Sequence, residues 1–123
     1  MPLYGIRALD FFKVLAGPLC IQYLGDIGAD VVKIEPCSGC DDTRQWPPFE
    51  DSDGTIFLSV NRNKRSLALD LKTPEGLEIC NRLAAEADVV VESFGPGVAE
   101  RLGIDYESLQ NVYLKLIYCS LSG

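Results

Sequence analysis

Two periods of apolar spacing run along this chain. Ile6 to Asp10 alternates apolar and polar residues and runs into Phe11 and Phe12, which predicts a first strand. Ala16-Gly17-Pro18 follows, with the proline placed to open a helix. Leu19, Cys20, Tyr23, Leu24 and Ile27 then recur at helical spacing, and Gly28 fits the stop. Val31-Val32-Lys33-Ile34-Glu35 is a short β-branched run and predicts a second strand. Residues 6–35 therefore read as one βαβ unit of about 30 residues.

Residues 36–55 break the pattern. Pro36, Gly39, Pro47, Pro48 and Gly54 punctuate them, and five acids stand between Asp41 and Asp53. Such a long loop is uncommon in a compact domain, so it is expected to be functional or to pack on another part of the protein. Ile56 to Val60 fits either a short strand or a helical turn. Ser66 to Asp70 reads as a third strand. Thr73-Pro74-Glu75 has the chemistry of a helix start: a capping hydroxyl, a proline at the first position, and an acid in the first turn. Leu77, Cys80, Leu83, Ala84 and Ala87 make one apolar stripe behind it. Asp88 to Glu92 has an all-valine centre, as a parallel strand buried on both faces requires. A turn over Ser93 to Gly97, a short helix to Leu102 stopped by Gly103, a second short helix over Tyr106 to Gln110, and a fifth strand over Leu114 to Leu121 complete the reading. Strands alternating with helices predict an α/β fold with a parallel sheet and flanking helices. The last strand has no helix after it, so the pattern reads as part of a longer protein.

Composition narrows the chemistry. The chain has 123 residues, 47% of them hydrophobic and 24% charged, an ordinary globular mixture. Its net charge of −7 gives no domain-wide footprint for nucleic acid. It contains no histidine, which removes His-dependent triads and His-containing zinc sites from this chain. No segment approaches the ~20 apolar residues that span a bilayer. Asp10 and Lys13 interrupt the apolar N-terminal stretch, which argues against an export signal. Five irregularly spaced cysteines fit free thiols in a reducing cytoplasm better than a disulfide framework.

Five features could carry function. Arg62, Lys64, Arg65 and Lys72 concentrate basic charge, as a solvated surface turn or as a phosphate site. A bound phosphate feels local charge more than net charge, because the Debye length is ~8 Å at physiological salt. Ala16-Gly17-Pro18 lies in a strand-to-helix turn, where backbone amides can meet a phosphate. Glu35 ends the second strand, where dinucleotide folds hold a ribose, or is simply a strand end with a local charge partner. The glycine fingerprint of those folds is missing, which disfavours an NAD-dependent oxidoreductase. Cys37-Ser38-Gly39-Cys40 is a lone CxxC, a redox or metal motif or a coincidence in a loop of small residues. Ser93-Phe94-Gly95-Pro96-Gly97 follows a buried strand at its carboxyl end, where ligands gather in open α/β sheets.

A set of segments extends this reading. Asp10, Val14 to Pro18 and Leu24 to Glu35 resemble the opening of the family III CoA-transferases, the CaiB/BaiF-like group. The similarity continues through Asp41 to Arg44, Asn61 to Ser66, Leu69 to Gly76, Ala87 to Glu92, Phe94 to Gly97, Arg101 to Gly103 and Leu116 to Gly123. It covers nearly the whole chain, in order. The resemblance implies a Rossmann-like large domain of which residues 1–123 are the N-terminal part, a smaller domain, and two chains interlocked as a homodimer. It implies an enzyme that moves coenzyme A from an acyl-CoA to a carboxylic acid acceptor through an aspartyl intermediate, with CoA as substrate and no tightly bound cofactor or metal. Leu15 and Ala16 would border the CoA. Leu69, Asp70, Leu71 and Lys72 would flank its adenosine, Ser93, Phe94 and Gly95 its outer wall, and Arg101 its phosphates; Arg62, Lys64 and Arg65 are further basic candidates. None of the aspartates matches the family's nucleophile, so no catalytic residue is assigned here. Pro36 stands where formyl-CoA transferases have a CoA-contacting arginine. Lys13 and Leu15 replace a histidine and a glutamine near their active site, which points away from a formyl/oxalate pair. Alternatives are an acyl-CoA racemase of the same superfamily and a CoA- or nucleotide-binding module without catalysis.

Overall fold

A computed structural model describes residues 1–38 and 40–122. Gly39, part of the predicted loop and of the CxxC spacing, and Gly123, the last residue of the resemblance, lie outside the described residues. The elements run β1 (Arg7–Phe11), α1 (Ala16–Asp26), β2 (Asp30–Glu35), a 3-10 turn (Asp42–Gln45), β3 (Phe49–Glu50), β4 (Asp53–Gly54), α2 (Thr55–Val60), β5 (Lys64–Ala68), α3 (Pro74–Ala85), β6 (Val89–Glu92), α4 (Val98–Leu102), α5 (Tyr106–Gln110) and β7 (Ile117–Ser120). The large sheet has the order β5-β2-β1-β6-β7, and every pair in it is parallel. That is the Rossmann-type order: three strands build outward from β1 on one side, and the chain then crosses to β6 on the other.

Several bounds differ from the sequence pattern, each for a physical reason. Helix α1 begins at Ala16, two residues before the proline expected to open it, which puts Pro18 inside the first turn, where its missing N–H costs nothing. Strand β5 begins at Lys64 instead of Ser66, because Lys64 and Arg65 find carboxylate partners on neighbouring elements and so need not lie outside the sheet. The stretch 36–55 is a folded excursion, with the 3-10 turn and the small β3–β4 hairpin inside it. Residues 56–60 resolve as helix. Strand β7 is shorter than the apolar run that suggested it and is largely exposed.

Alternation divides the sheet's residues between two faces. Leu9, Phe11, Ile34, Val90 and Leu69 pack with Cys80, Ala84 and Ala87 of α3 and with Ile104, Leu109 and Leu116. Ala8, Phe12, Val31 and Val91 pack with Ile21 of α1 and Ala29. Helix α3 starts as its sequence demands: the Thr73 hydroxyl accepts from the Gly76 amide at 3.1 Å, and Pro74 follows the cap. Helix α1 lies tight on the sheet, because a side chain at Gly17 would run into the Phe12 ring.

Candidate functional site

In this topology the connections after β1 and β6 leave in opposite directions. The crevice between these neighbours, at the carboxyl ends of the strands, is where open α/β sheets receive ligands. Phe11 pairs with Glu92 at this edge, and the Phe11 and Phe94 rings meet at 5.4 Å between centroids. A cavity of about 430 Å³ opens here. Phe11, Ile34, Leu69, Leu71 and Phe94 give it apolar walls. Lys13, Glu35, Asp70 and Lys72 bring charge, and Pro36, Cys37 and Ser38 close the remaining side. Leu69 is tied to the sheet by its amide, which donates to the Glu35 carbonyl at 2.9 Å. The Asp70 carboxylate accepts from the Lys72 amide at 3.0 Å, and the Thr73 hydroxyl donates to the Asp70 carbonyl at 2.8 Å, so 70–73 is a rigid turn ahead of α3.

Behind the cavity, the α1 face of the sheet carries a row of buried charges. Lys64 Nζ stands 3.0 Å from Asp10 Oδ2, and both side chains are shut off from water. The contact is an ion pair without hydrogen-bond angles, and Asp10 Oδ2 has no hydrogen-bond donor. Lys64 Nζ instead donates to the Pro18 carbonyl and to Asn61 Oδ1, each at 2.9 Å. Burial pushes its pKa down, with Asp10 pulling the other way. Lys33 Nζ lies 3.1 Å from Asp41 Oδ2. Burial pushes the Asp41 carboxyl up, but the Thr43 hydroxyl and amide and the Lys33 ammonium outweigh it, leaving the pKa below the ordinary value. Glu35 behaves likewise: burial raises it, while Arg44, Ser66 and the Asp41 amide lower it further. Arg44 grips Glu35 through Nε and a terminal nitrogen, each at 3.0 Å, reaches Asp53 at 3.0 Å, and lies 3.7 Å above the Phe57 ring. Bidentate guanidinium–carboxylate pairs fix orientation as well as charge.

The predicted site residues fall into three groups. Leu69, Asp70, Leu71, Lys72 and Phe94 line the cavity together. Leu15, Ala16, Ser93 and Gly95 are exposed in or beside the turns after β1 and β6, near in sequence to the lining residues Lys13 and Phe94 but not themselves in the lining, and Arg101 is exposed on α4, with no ion pair among the described residues. Arg62, Lys64 and Arg65 do not line the cavity. Arg62 pairs with Asp26 at 2.6 Å, Arg65 with Asp30 at 2.7 Å, and Lys64 is the buried partner of Asp10. Arg65 lies toward the amino edge of the sheet. The resemblance had put Lys13 near an active site, and the structure sets it in the cavity wall; Lys33 and Asp41 as a buried pair were not foreseen. The visible signal was the spacing of Lys33 and Glu35, which puts both charges on the same face as Val31. Cys37 is in the cavity wall, all five cysteines are free thiols, and burial among apolar neighbours pushes the Cys80 thiol up to about 12. Among the described residues no three Cys, Asp or Glu side chains stand close enough to hold a metal ion, and no helix is long and apolar enough to cross a membrane.

Fold and cavity together define a doubly wound α/β domain whose crevice at the switch point joins apolar walls to two lysines and two carboxylates. The chain belongs to CoA-transferase family III, whose sequence profile matches residues 3–123. It is 50% identical over 129 residues to the succinate–glutarate CoA-transferase of Agrobacterium fabrum, covering 99% of this chain and 32% of that protein. It is 48% identical over 123 residues to the succinyl-CoA:glutarate CoA-transferase of Mus musculus, covering 99% and 28%. In three dimensions it matches a CAIB/BAIF family protein from Brucella suis with a TM-score of 0.93 and 44% identity, over 100% of this chain and 34% of that one. The chain thus spans about a third of the length of the proteins it matches.

Proposed function

We propose that the cavity at the carboxyl edge is the seat of coenzyme A, and that the whole protein transfers CoA between carboxylic acids. The observation that carries this reading is the pairing of apolar walls with two ammonium groups, Lys13 and Lys72, in one crevice. A CoA molecule has both faces of that chemistry: an adenine and an aliphatic arm that gain from leaving water, and phosphates that need cations. Pro36, also in the wall, supplies no charge, so Lys13 and Lys72 are the cations of the wall. Leu15, Ala16, Ser93 and Gly95 form its rim, and Arg101 is the outer phosphate contact. Arg62, Lys64 and Arg65 are left out of the cradle, since their charges are committed to aspartates.

The acids exchanged are short dicarboxylates, a class supported by the substrates in the names of the two relatives, while Lys13 and Leu15, in place of formyl-transferase residues, point away from a formyl/oxalate pair. The whole protein acts as a homodimer on an acyl-CoA and a carboxylic acid acceptor. Its free thiols suit the cytoplasm.

Calorimetric titration of the chain with CoA tests the cradle. A charge-assisted hydrogen bond contributes roughly 1.5–3 kcal/mol, so Lys72→Ala, Lys13→Ala and Arg101→Ala should each weaken binding about ten-fold or more. Arg65→Ala should leave the affinity unchanged. Equal affinity for the wild type and all four variants would remove the cradle.

A further inference from the structure

Three backbone groups between β1 and α1 are held by buried charged side chains. The Phe12 amide donates to Asp10 Oδ1 at 2.8 Å. The Phe12 carbonyl accepts from Lys33 Nζ at 2.7 Å. The Val14 amide donates a long, forked hydrogen bond to both carboxylate oxygens of Asp41, at 3.4 Å each. Val14 has a φ of 72°. A β-branched residue has no local reason to adopt that left-handed conformation, so something outside the turn must hold it there. The residue before Val14 is Lys13, in the cavity wall; the residue after it is Leu15, which is exposed. Asp41 is itself fixed from two sides. Lys33 of β2 is 3.1 Å from Oδ2, while Oδ1 accepts from the Thr43 amide at 3.0 Å and the Thr43 hydroxyl at 2.7 Å.

We infer that Asp41 is a positioning residue: by accepting from the Val14 amide it holds the turn in its left-handed form, and so places Lys13 against the cavity. An Asp41 that only balanced the charge of Lys33 would leave the conformation of residue 14 indifferent to it. Substitutions can tell these two roles apart. Asp41→Asn keeps the size of the side chain and the oxygen that Thr43 uses. It puts an NH2 in place of Oδ2, which removes one arm of the fork to the Val14 N–H and sets a donor against the Lys33 ammonium, so the turn is held only through the oxygen it shares with Thr43. Val14→Gly removes the steric objection to positive φ, so a glycine turn no longer needs to be held.

Amide exchange on the whole chain reads the turn through Leu19, whose N–H donates to the Leu15 carbonyl at 2.9 Å. Asp41→Asn should accelerate exchange at Leu19 about ten-fold, reporting local opening, and Asp41→Asn/Val14→Gly should return it to within about two-fold of wild type. The thermal midpoint, which also registers the orphaned Lys33, should not recover in the double variant. A CoA titration adds a second readout, with affinity lost in Asp41→Asn and regained in the double variant. That arm rests on the coenzyme A reading and the exchange arm does not. A wild-type chain that ignores CoA would refute that reading and leave Asp41 to be judged on exchange alone. Where Asp41→Asn does not fold, Asp41→Glu keeps the charge beside Lys33 but displaces the carboxylate from the Val14 amide, and the same acceleration and glycine rescue are expected. No acceleration at Leu19, or no rescue by Val14→Gly, would overturn the inference.

Discussion

Glu35 illustrates how a charge becomes structural once its partners surround it. It ends β2, borders the cavity, and is held by two arms of Arg44 and by the Asp41 amide at 3.2 Å. Removing one partner of a buried pair leaves the other uncompensated and costs ~3–5 kcal/mol. The Arg44 side chain keeps 20% of its exposure, so Glu35→Gln should cost about 3 kcal/mol, at the low end of that range. Urea titration at neutral pH measures it, and a loss within error of zero would show that the pair contributes nothing. The same carboxylates make stability depend on acid. The Glu35 and Asp41 carboxyls sit below their ordinary values, so the folded chain binds fewer protons than the unfolded chain as the pH falls. Their contribution is complete above the unfolded values, about 4.3 and 3.9, and is lost as the pH drops through the lower folded ones. Denaturation midpoints should therefore fall steeply below about pH 4, and less steeply in Glu35→Gln. An equally steep fall in the variant would show that Glu35 is not part of the acid response. Little of this was legible beforehand: Asp41 to Arg44 stood out in the sequence only as a family motif, and its role depends on Glu35 and Lys33 being brought beneath it by β2.

Among the elements, α1 is fitted closely against the residue that follows β1. Its first turn contains Gly17 and Pro18, both buried, with Gly17 against the Phe12 ring. Gly17→Ala forces a methyl group into that ring and should cost about 1–3 kcal/mol, the usual toll of overpacking. Gly95→Ala is the matched comparison: a side chain there would meet Val98 at 3.9 Å, an ordinary contact, and stability should change by less than about 0.5 kcal/mol. Equal melting temperatures for the two variants would mean that α1 can move off Phe12 freely. The helical period of Leu19 to Ile27 was readable from sequence. Pro18 was readable as its opening, but Ala16 and Gly17 were not, because they carry no periodic signal and are recruited by the close fit to Phe12.

At the scale of the whole molecule, the apolar C-terminal segment is poorly covered. Leu114 is 82% exposed and Ile117 64%, and β7 is an edge strand with one neighbour. Unpaired strand edges with apolar side chains invite pairing with another copy. The chain should therefore sediment as a concentration-dependent mixture, with Ile117→Lys shifting it toward monomer, since an edge lysine opposes strand addition. A wild-type chain that remains monomeric at high concentration, with a cooperative thermal transition, would contradict this.

Sequence alone determined the kinds and order of the main elements. Period-two and period-3.6 spacing are local properties, and the Thr73-Pro74 start of α3 and the Gly103 stop of α4 are local chemistry. The family was also legible, because its motifs are spread along nearly the whole chain. Tertiary structure decided where the charges went. Arg62, Lys64 and Arg65 looked like an open basic cluster, but the parallel packing of β5 on β2 brings them to Asp26, Asp10 and Asp30, carboxylates far away in sequence. In the chain's own pattern Lys13 is only an interruption of an apolar stretch; family resemblance alone set it near a site, and the left-handed turn at Val14 puts it in the cavity wall. Whether a charged side chain meets water, a ligand or a buried counter-charge depends on pairings between distant segments, and no periodicity along one segment encodes those.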